Sequence, residues 1–282
     1  MKARGAHISA LALNPQQIAE YHREGFVIAR KMFTTEEANL ILRTAETDEA
    51  MQKSAYIRSD TTGSQTRMTV WSDPGDDIFG MFSRSERIVD SMESLIGDEV
   101  YHYNSKLNAK EPFEGGAWEW HQDYGYWYNN GCLFPMMASC LMALDPCTVE
   151  NGCLQVLRRS HLVGRVDHVQ SGKQVSADPA RVEHLVKQLE TVPCVMEPGD
   201  VIFFHCNMLH TSARNDSPKR RWVLISCYNA RSNDPVIKHH HPQYNPLKKV
   251  PDSAILEVGM RPSAANKKFL DKPYNPLEYA AK

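Results

Sequence analysis

Two residues in the run Trp118-Glu-Trp-His-Gln-Asp123 are candidates to hold a metal ion together. His121 and Asp123 are two apart, and in a strand that spacing points both side chains to one face. One imidazole and one carboxylate bind a divalent ion weakly, so a third ligand has to come from elsewhere in the chain. The segment Val201-Ile-Phe-Phe-His-Cys-Asn-Met-Leu-His210 offers His205 and His210. Two histidines and one carboxylate leave coordination positions open on one side of iron(II), where an oxoacid and then O₂ can bind. The same donors also suit other divalent metals, zinc with a hydrolytic water among them.

The stretch that follows His210 carries a second chemical signal. A cosubstrate with two carboxylates needs a cation beyond the metal, and arginine presents a planar fork that takes a carboxylate bidentately. Arg221 lies eleven residues after His210, at the start of the apolar run Trp222 to Cys227. A hairpin would return that run beside His210.

These residues must be positioned by strands brought together from distant parts of the chain. Asn14-Pro15 caps a helix through Tyr21, Gly25 to Ala29 is a short strand, and Thr34-Thr-Glu-Glu37 opens a second helix. Residues Asp76 to Ile96 show helical spacing of apolar side chains. From Glu99 onward, short β-prone segments follow one another: Val100 to Leu107, Ala117 to Trp127, Ser139 to Leu144, Leu154 to Leu157, Val192 to Met196, Val201 to His205 and Trp222 to Tyr228. Turn sequences such as Glu197-Pro-Gly-Asp200 separate them, and one helix, Asp178 to Glu190, interrupts the series. This pattern predicts a jelly-roll barrel buttressed by helices, in a single domain over residues 1–282. After Asn229 the chain is rich in Pro and Asn and is expected to wrap the surface, with His239-His-His241 in a solvated loop.

On these residues the sequence resembles the phytanoyl-CoA dioxygenase family of iron(II)- and 2-oxoglutarate-dependent oxygenases, with features of ectoine hydroxylases. The likeness rests on His121-x-Asp123, on His210-x-Ser212-x-x-Asn215-x-Ser217 ahead of Arg221, and on Asn151-Gly-Cys-Leu154 with Ser160-His161. It runs from the Gly25 strand to about Tyr228. The resemblance implies an α+β fold with a double-stranded β-helix (jelly-roll, cupin-like) core. It implies iron(II) on His121, Asp123 and His210, and 2-oxoglutarate and O₂ as cosubstrates. It also settles the histidine: eleven residues beyond His205 stands Asp216, which would repel a carboxylate. His205 is then a core or supporting residue, and His102, His161, His168 and His184 are structural or exposed.

By the same resemblance Asn104 and Asn108 contact 2-oxoglutarate, Ser212 adds a hydroxyl beside Arg221, and Trp127 lines the substrate pocket with Tyr124. Relatives often carry a bulky aromatic near Leu141. Arg67, on an expected strand from Thr66 to Trp71, is a candidate second cation. Strand parity puts Glu119 on the inward face with His121 and turns Trp118 and Trp120 away. An inward carboxylate beside aromatic rings suits a small amine-bearing or zwitterionic substrate; otherwise Glu119 pairs with Lys106, Lys110 or Arg158. The implied reaction hydroxylates an unactivated C–H and releases succinate and CO₂. A carboxylate at Asp123, where related halogenases have a small residue, favours hydroxylation. Alternatives are an acyl-CoA or other carboxylate substrate, a non-catalytic barrel that binds 2-oxoglutarate, and a zinc hydrolase.

The bulk composition sets the frame. The chain has 282 residues, 42% hydrophobic and 23% charged, with net charge −2 and a pI near 6.6. Neither a nucleic-acid partner nor a membrane surface is expected at that balance. The seven cysteines are odd in number and include no CxxC pair, which points to buried thiols in a reducing cytoplasm. Ile8 to Leu13 is too short for a signal or membrane segment. A monomer or homodimer acting on a small molecule is the expectation.

Overall fold

The computed structural model describes residues 8–60, 62–171 and 174–270. The chain opens with helix α1 (Pro15–Glu24), strand β1 (Phe26–Ala29), helices α2 (Thr35–Thr47) and α3 (Glu49–Lys53), and strands β2 (Tyr56–Ser59) and β3 (Gln65–Trp71). Helices α4 (Ile78–Arg84) and α5 (Glu86–Ile96) lead into β4 (Val100–Lys110) and β5 (Trp118–His121). Then come α6 (Asp123–Trp127), β6 (Met137–Ala143), β7 (Leu154–Leu157), β8 (His168–Ser171), β9 (Gln174–Ala177) and α7 (Pro179–Gln188). Strands β10 (Thr191–Pro193), β11 (Val201–His205), β12 (His210–Ser212) and β13 (Arg221–Ala230) precede a short helix, α8 (Ala254–Val258).

Local chemistry sets the ends of the leading helices. Asn14 and Thr34 each accept a backbone N–H three residues on, while Gln17 and Glu37 return the bond to the cap, which closes a capping box on α1 and on α2. Gly25 then ends α1 with a left-handed φ of 85°, a backbone state costly for other residues.

A seven-stranded sheet, in the order β1-β11-β6-β13-β4-β3-β2, faces a four-stranded sheet in the order β10-β7-β12-β5. Every pairing in both is antiparallel. Alternation along the strands divides the apolar side chains between two layers. Phe204, Ile202, Leu141 and Val223 point between the sheets and pack with Val156, Cys194 and Met196. Their neighbours Phe203, Val201, Met142 and Leu224 point the other way, onto a layer built from Ile41, Phe79, Phe82, Ile88 and Met92 of the helices. The architecture is a double-stranded β-helix with helices covering one face.

Three expectations are corrected. The helical stretch from Asp76 to Ile96 breaks at Ser85, whose extended backbone (ψ 141°) bridges Val250. The β-prone run from Ala117 to Trp127 stops at His121, and α6 takes over at Asp123. The His239–His241 segment is half-buried rather than solvated: the His241 ring lies 4.7 Å from Tyr103, and its Nδ1 is 3.2 Å from Ser72 Oγ. The chain beyond Asn229 does return over the outside, with α8 packed on the α4 and α2 side and Phe269 bridging Trp71.

All seven cysteines are buried thiols. No helix among the described residues is long and apolar enough to cross a membrane.

Candidate metal and cosubstrate site

β12 lies between β7 and β5, and its register sets His210 directly opposite His121. The two rings sit side by side with centroids 4.1 Å apart. Asp123 follows at the first turn of α6, and donor atoms of His121, Asp123 and His210 all lie within 4.8 Å of one another.

Both imidazoles are held the same way. His121 Nδ1 is 2.7 Å from the Glu119 carbonyl and His210 Nδ1 is 2.9 Å from the Met208 carbonyl. A carbonyl accepts only, so each Nδ1 carries the proton and each Nε2 keeps its lone pair for a metal. Burial, and then the neighbouring His210, holds the pKa of His121 well below the usual histidine value. Burial also lowers that of His210, against the pull of Asp123. Both rings are thereby kept neutral, the form that ligates.

Asp123 is fixed from behind: Ser139 Oγ donates to its Oδ2 at 2.7 Å. Gln122, fully buried between the candidate ligands His121 and Asp123, donates to the Gly164 and Asn207 carbonyls and accepts from the Val166 N–H. The His168 ring accepts the Gln122 N–H at 3.0 Å. The β5–α6 junction is therefore tied down on both sides of the ligand pair.

The same cavity, about 160 Å³, reaches Asn104, Asn108, Ser212 and Arg221. Arg221 is 4% exposed, and its side chain has no ion pair or hydrogen bond among the described residues. The register of β13 on β4 sets it opposite Lys110. Lys110 is itself buried and donates to Ser212 Oγ at 2.8 Å and to the Ala213 carbonyl. Like charges directly opposite on a sheet repel, and a buried cation without a partner is costly. Both amide atoms of Asn104, the Asn108 oxygen and the Arg221 Nε are also buried without partners. This end of the cavity is built for an acidic polar molecule, and a dicarboxylate satisfies it.

The substrate side departs from the sequence expectation. Between His210 and Ser212 on β12 the partner strand advances from His121 to Trp118, three residues against two. That bulge inverts the parity of β5. Trp118 consequently lines the cavity and Glu119 does not. None of the suggested cations pairs with Glu119: Lys106 faces Asp123 at 3.8 Å, Lys110 bonds Ser212, and Arg158 pairs with Glu190 at 3.2 Å.

Trp127 does line the cavity, whereas Tyr124 packs with Tyr101 and Tyr103 in the core. The helical turn of α6 presents Tyr126 instead, its ring 5.7 Å from His121 and its hydroxyl donating to the Val175 carbonyl. Arg67 stays outside, bonding Gln52 and stacking on Trp222. Arg58 reaches the cavity in its stead, over the Trp118 ring at 5.2 Å. Leu141 lines the wall, as do His240 and His241. His205 lies away from the site, 5.6 Å from the His161 ring. His102 and His168 are buried and His184 is exposed.

Sequence reasoning passed over Arg58, Tyr126, Ser139, and the roles of Lys106 and Lys110. The two lysines were within reach, since the alternation that pairs Asn104 with Asn108 runs through both. Arg58 and Ser139 carry no motif and become visible only through strand pairing.

The family model for phytanoyl-CoA dioxygenase (PhyH) matches residues 21–223. The chain belongs to the phytanoyl-CoA dioxygenase family. It is 28% identical over 247 residues to the ectoine dioxygenase of Bordetella bronchiseptica, covering 79% of this chain and 77% of that enzyme. It is 33% identical over 176 residues to the L-proline trans-4-hydroxylase of Streptomyces griseoviridis, covering 57% of this chain and 66% of that one. The crystal structure of EctD from S. alaskensis with bound Fe superposes with a TM-score of 0.72 at 24% identity, over 88% of this chain and 91% of that one. Membership, together with a donor set and a buried, unpaired arginine that fit the two groups, makes this an iron(II)- and 2-oxoglutarate-dependent dioxygenase.

Proposed function

We propose that this enzyme hydroxylates an unactivated C–H of a small amine-bearing or zwitterionic metabolite. In this reading His121, Asp123 and His210 hold the iron, while Arg221, with Lys110, Ser212, Asn104 and Asn108, holds 2-oxoglutarate. The observation that carries it is the buried, unpaired Arg221 in one cavity with the three candidate ligands. A hydrolytic zinc site leaves that cation without a purpose. When bound, the metal would let O₂ act as the oxidant: 2-oxoglutarate gives up two electrons and CO₂ to become succinate, which takes one oxygen atom, and the substrate C–H gives up two and takes the other as C–OH.

The protein's part is placement. Arg221 and Lys110 fix one end of the cosubstrate, and the neutral imidazoles aim their Nε2 atoms at the ion. Trp118, Tyr126 and Trp127 wall off water and offer aromatic faces to an ammonium group. That assignment replaces the expected role of Glu119. The names of the two relatives, an ectoine dioxygenase and a proline hydroxylase, support a compact nitrogen-containing substrate.

Succinate release from 2-oxoglutarate, with iron(II), O₂, ascorbate and a pool of small metabolites, tests the proposal. The expected result is stimulation by amine-bearing compounds. Zinc in the purified protein, with no succinate from any pool, would overturn it.

A further inference from the structure

The cavity holds more positive charge than the metal ligands and the cosubstrate neutralise. Arg58 and Lys106 both line it. Tyr56 and Tyr126 line it with them. No carboxylate among the described residues forms an ion pair with Arg58, which rests instead on the Trp118 ring. Among the described residues Lys106 forms one ion pair, with Asp123 at 3.8 Å.

That neighbour is the proposed metal ligand. Once Asp123 shares its charge with a divalent ion, Lys106 faces net positive charge where it had a counter-ion. The two negative charges of 2-oxoglutarate do not relieve this. One carboxylate is committed to Arg221 and Lys110, and the other lies on the metal, which is doubly charged. Two cations, Arg58 and Lys106, therefore remain to be balanced at the substrate end of the loaded site, and leaving them unbalanced is costly.

We infer that Arg58 and Lys106 form an anion subsite that takes a carboxylate of the substrate. This deepens the reading above and rests on it: the substrate is a small amino acid or amino-acid derivative whose acid group is free. Arg58 supplies a fork suited to a carboxylate and Lys106 a point charge. The guanidinium sits over the Trp118 ring, and no carboxylate among the described residues takes up its donors. The amine lies against the aromatic wall, and the carbon chain between the two groups crosses the metal.

The test is an anaerobic titration of the iron- and 2-oxoglutarate-loaded enzyme with L-amino acids and, in parallel, their primary amides. Binding is read from the perturbation of the visible charge-transfer absorption of the loaded site. In the wild type at least one acid should bind roughly tenfold or more tightly than its amide, the span expected for one charge-assisted contact. Arg58→Met and Lys106→Met should each shrink that ratio toward unity, and Arg58→Lys should recover part of it. A ratio of acid to amide affinity is not moved by a general loss of fold or of iron, so both variants report on the subsite. Amides that bind as well as acids, no acid that binds, or a ratio that survives both substitutions would overturn the inference. A wild type that never develops the absorption sinks the cofactor assignment first, which separates the two failures.

Discussion

Ser139→Ala is the substitution whose consequence is most directly worked from the structure. Ser139 is fully buried on β6, and its hydroxyl donates at 2.7 Å to Oδ2 of Asp123, itself 4% exposed. The bond leaves the other oxygen to turn toward the metal and fixes the carboxylate's angle on the helix turn that carries it. Hydrogen bonds to charged groups contribute about 1.5–3 kcal/mol, and loss of such a support typically weakens metal binding about 10–100-fold. The two ranges agree, since each tenfold corresponds to about 1.4 kcal/mol. The alanine removes one oxygen and adds no bulk, so the fold should persist. Anaerobic competition for iron(II) against a chelator of known affinity measures the effect, with a thermal melt of the apo-protein to verify folding. Iron affinity within about twofold of wild type, in a variant that melts normally, would refute the claim that Ser139 positions the ligand.

Arg221→Met should raise the KM for 2-oxoglutarate by at least roughly 30-fold, since truncating one partner of a buried charge pair costs about 2–5 kcal/mol; steady-state succinate kinetics checks it. Removing metal with a chelator should abolish succinate formation, and iron(II) but not zinc should restore it. Gly125→Ala should push a Cβ into the His168 ring and cost about 1–3 kcal/mol, seen as a lower denaturation midpoint together with weaker iron binding. Acid should unfold the apo-protein early. Burial depresses His102, His168 and His205 to about 4 from the ordinary histidine value near 6.5. The unfolded chain thus binds more protons between those values, and stability should fall as pH drops from about 6.5 toward 4 and level off below it. Melting temperature against pH checks the sign.

What the sequence disclosed depended on whether the signal was local or relational. Helix starts at Asn14 and Thr34 were legible because a cap and its partner lie three residues apart. The strands of the large sheet were legible because each alternates between two apolar layers. The metal pair and Arg221 stood out because residue type and spacing carry the chemistry. Glu119, Tyr124 and Arg67 fall elsewhere for reasons that lie in strand pairing and element boundaries rather than in the residues themselves. A bulge shifts β5, α6 replaces the strand after His121, and the pairing of β3 with β4 leaves Arg67 on the outer side. The His239–His241 segment looked like a polar loop because nothing nearby in the sequence announces Tyr103 and Ser72 as its neighbours.

The bulge in β5 also means that the polarity of the substrate wall is written in the count of residues rather than in their identity. Inserting a single residue between Trp120 and His121, with the bulge retained, would set Glu119 three positions before the ligand, in the place an indole now fills. The ligands would stay where their own bonds hold them while the chamber beside them changed sign. A lineage carrying this scaffold thus has a one-step route to substrates of opposite charge, and an alignment that scores substitutions but slides over gaps would miss it.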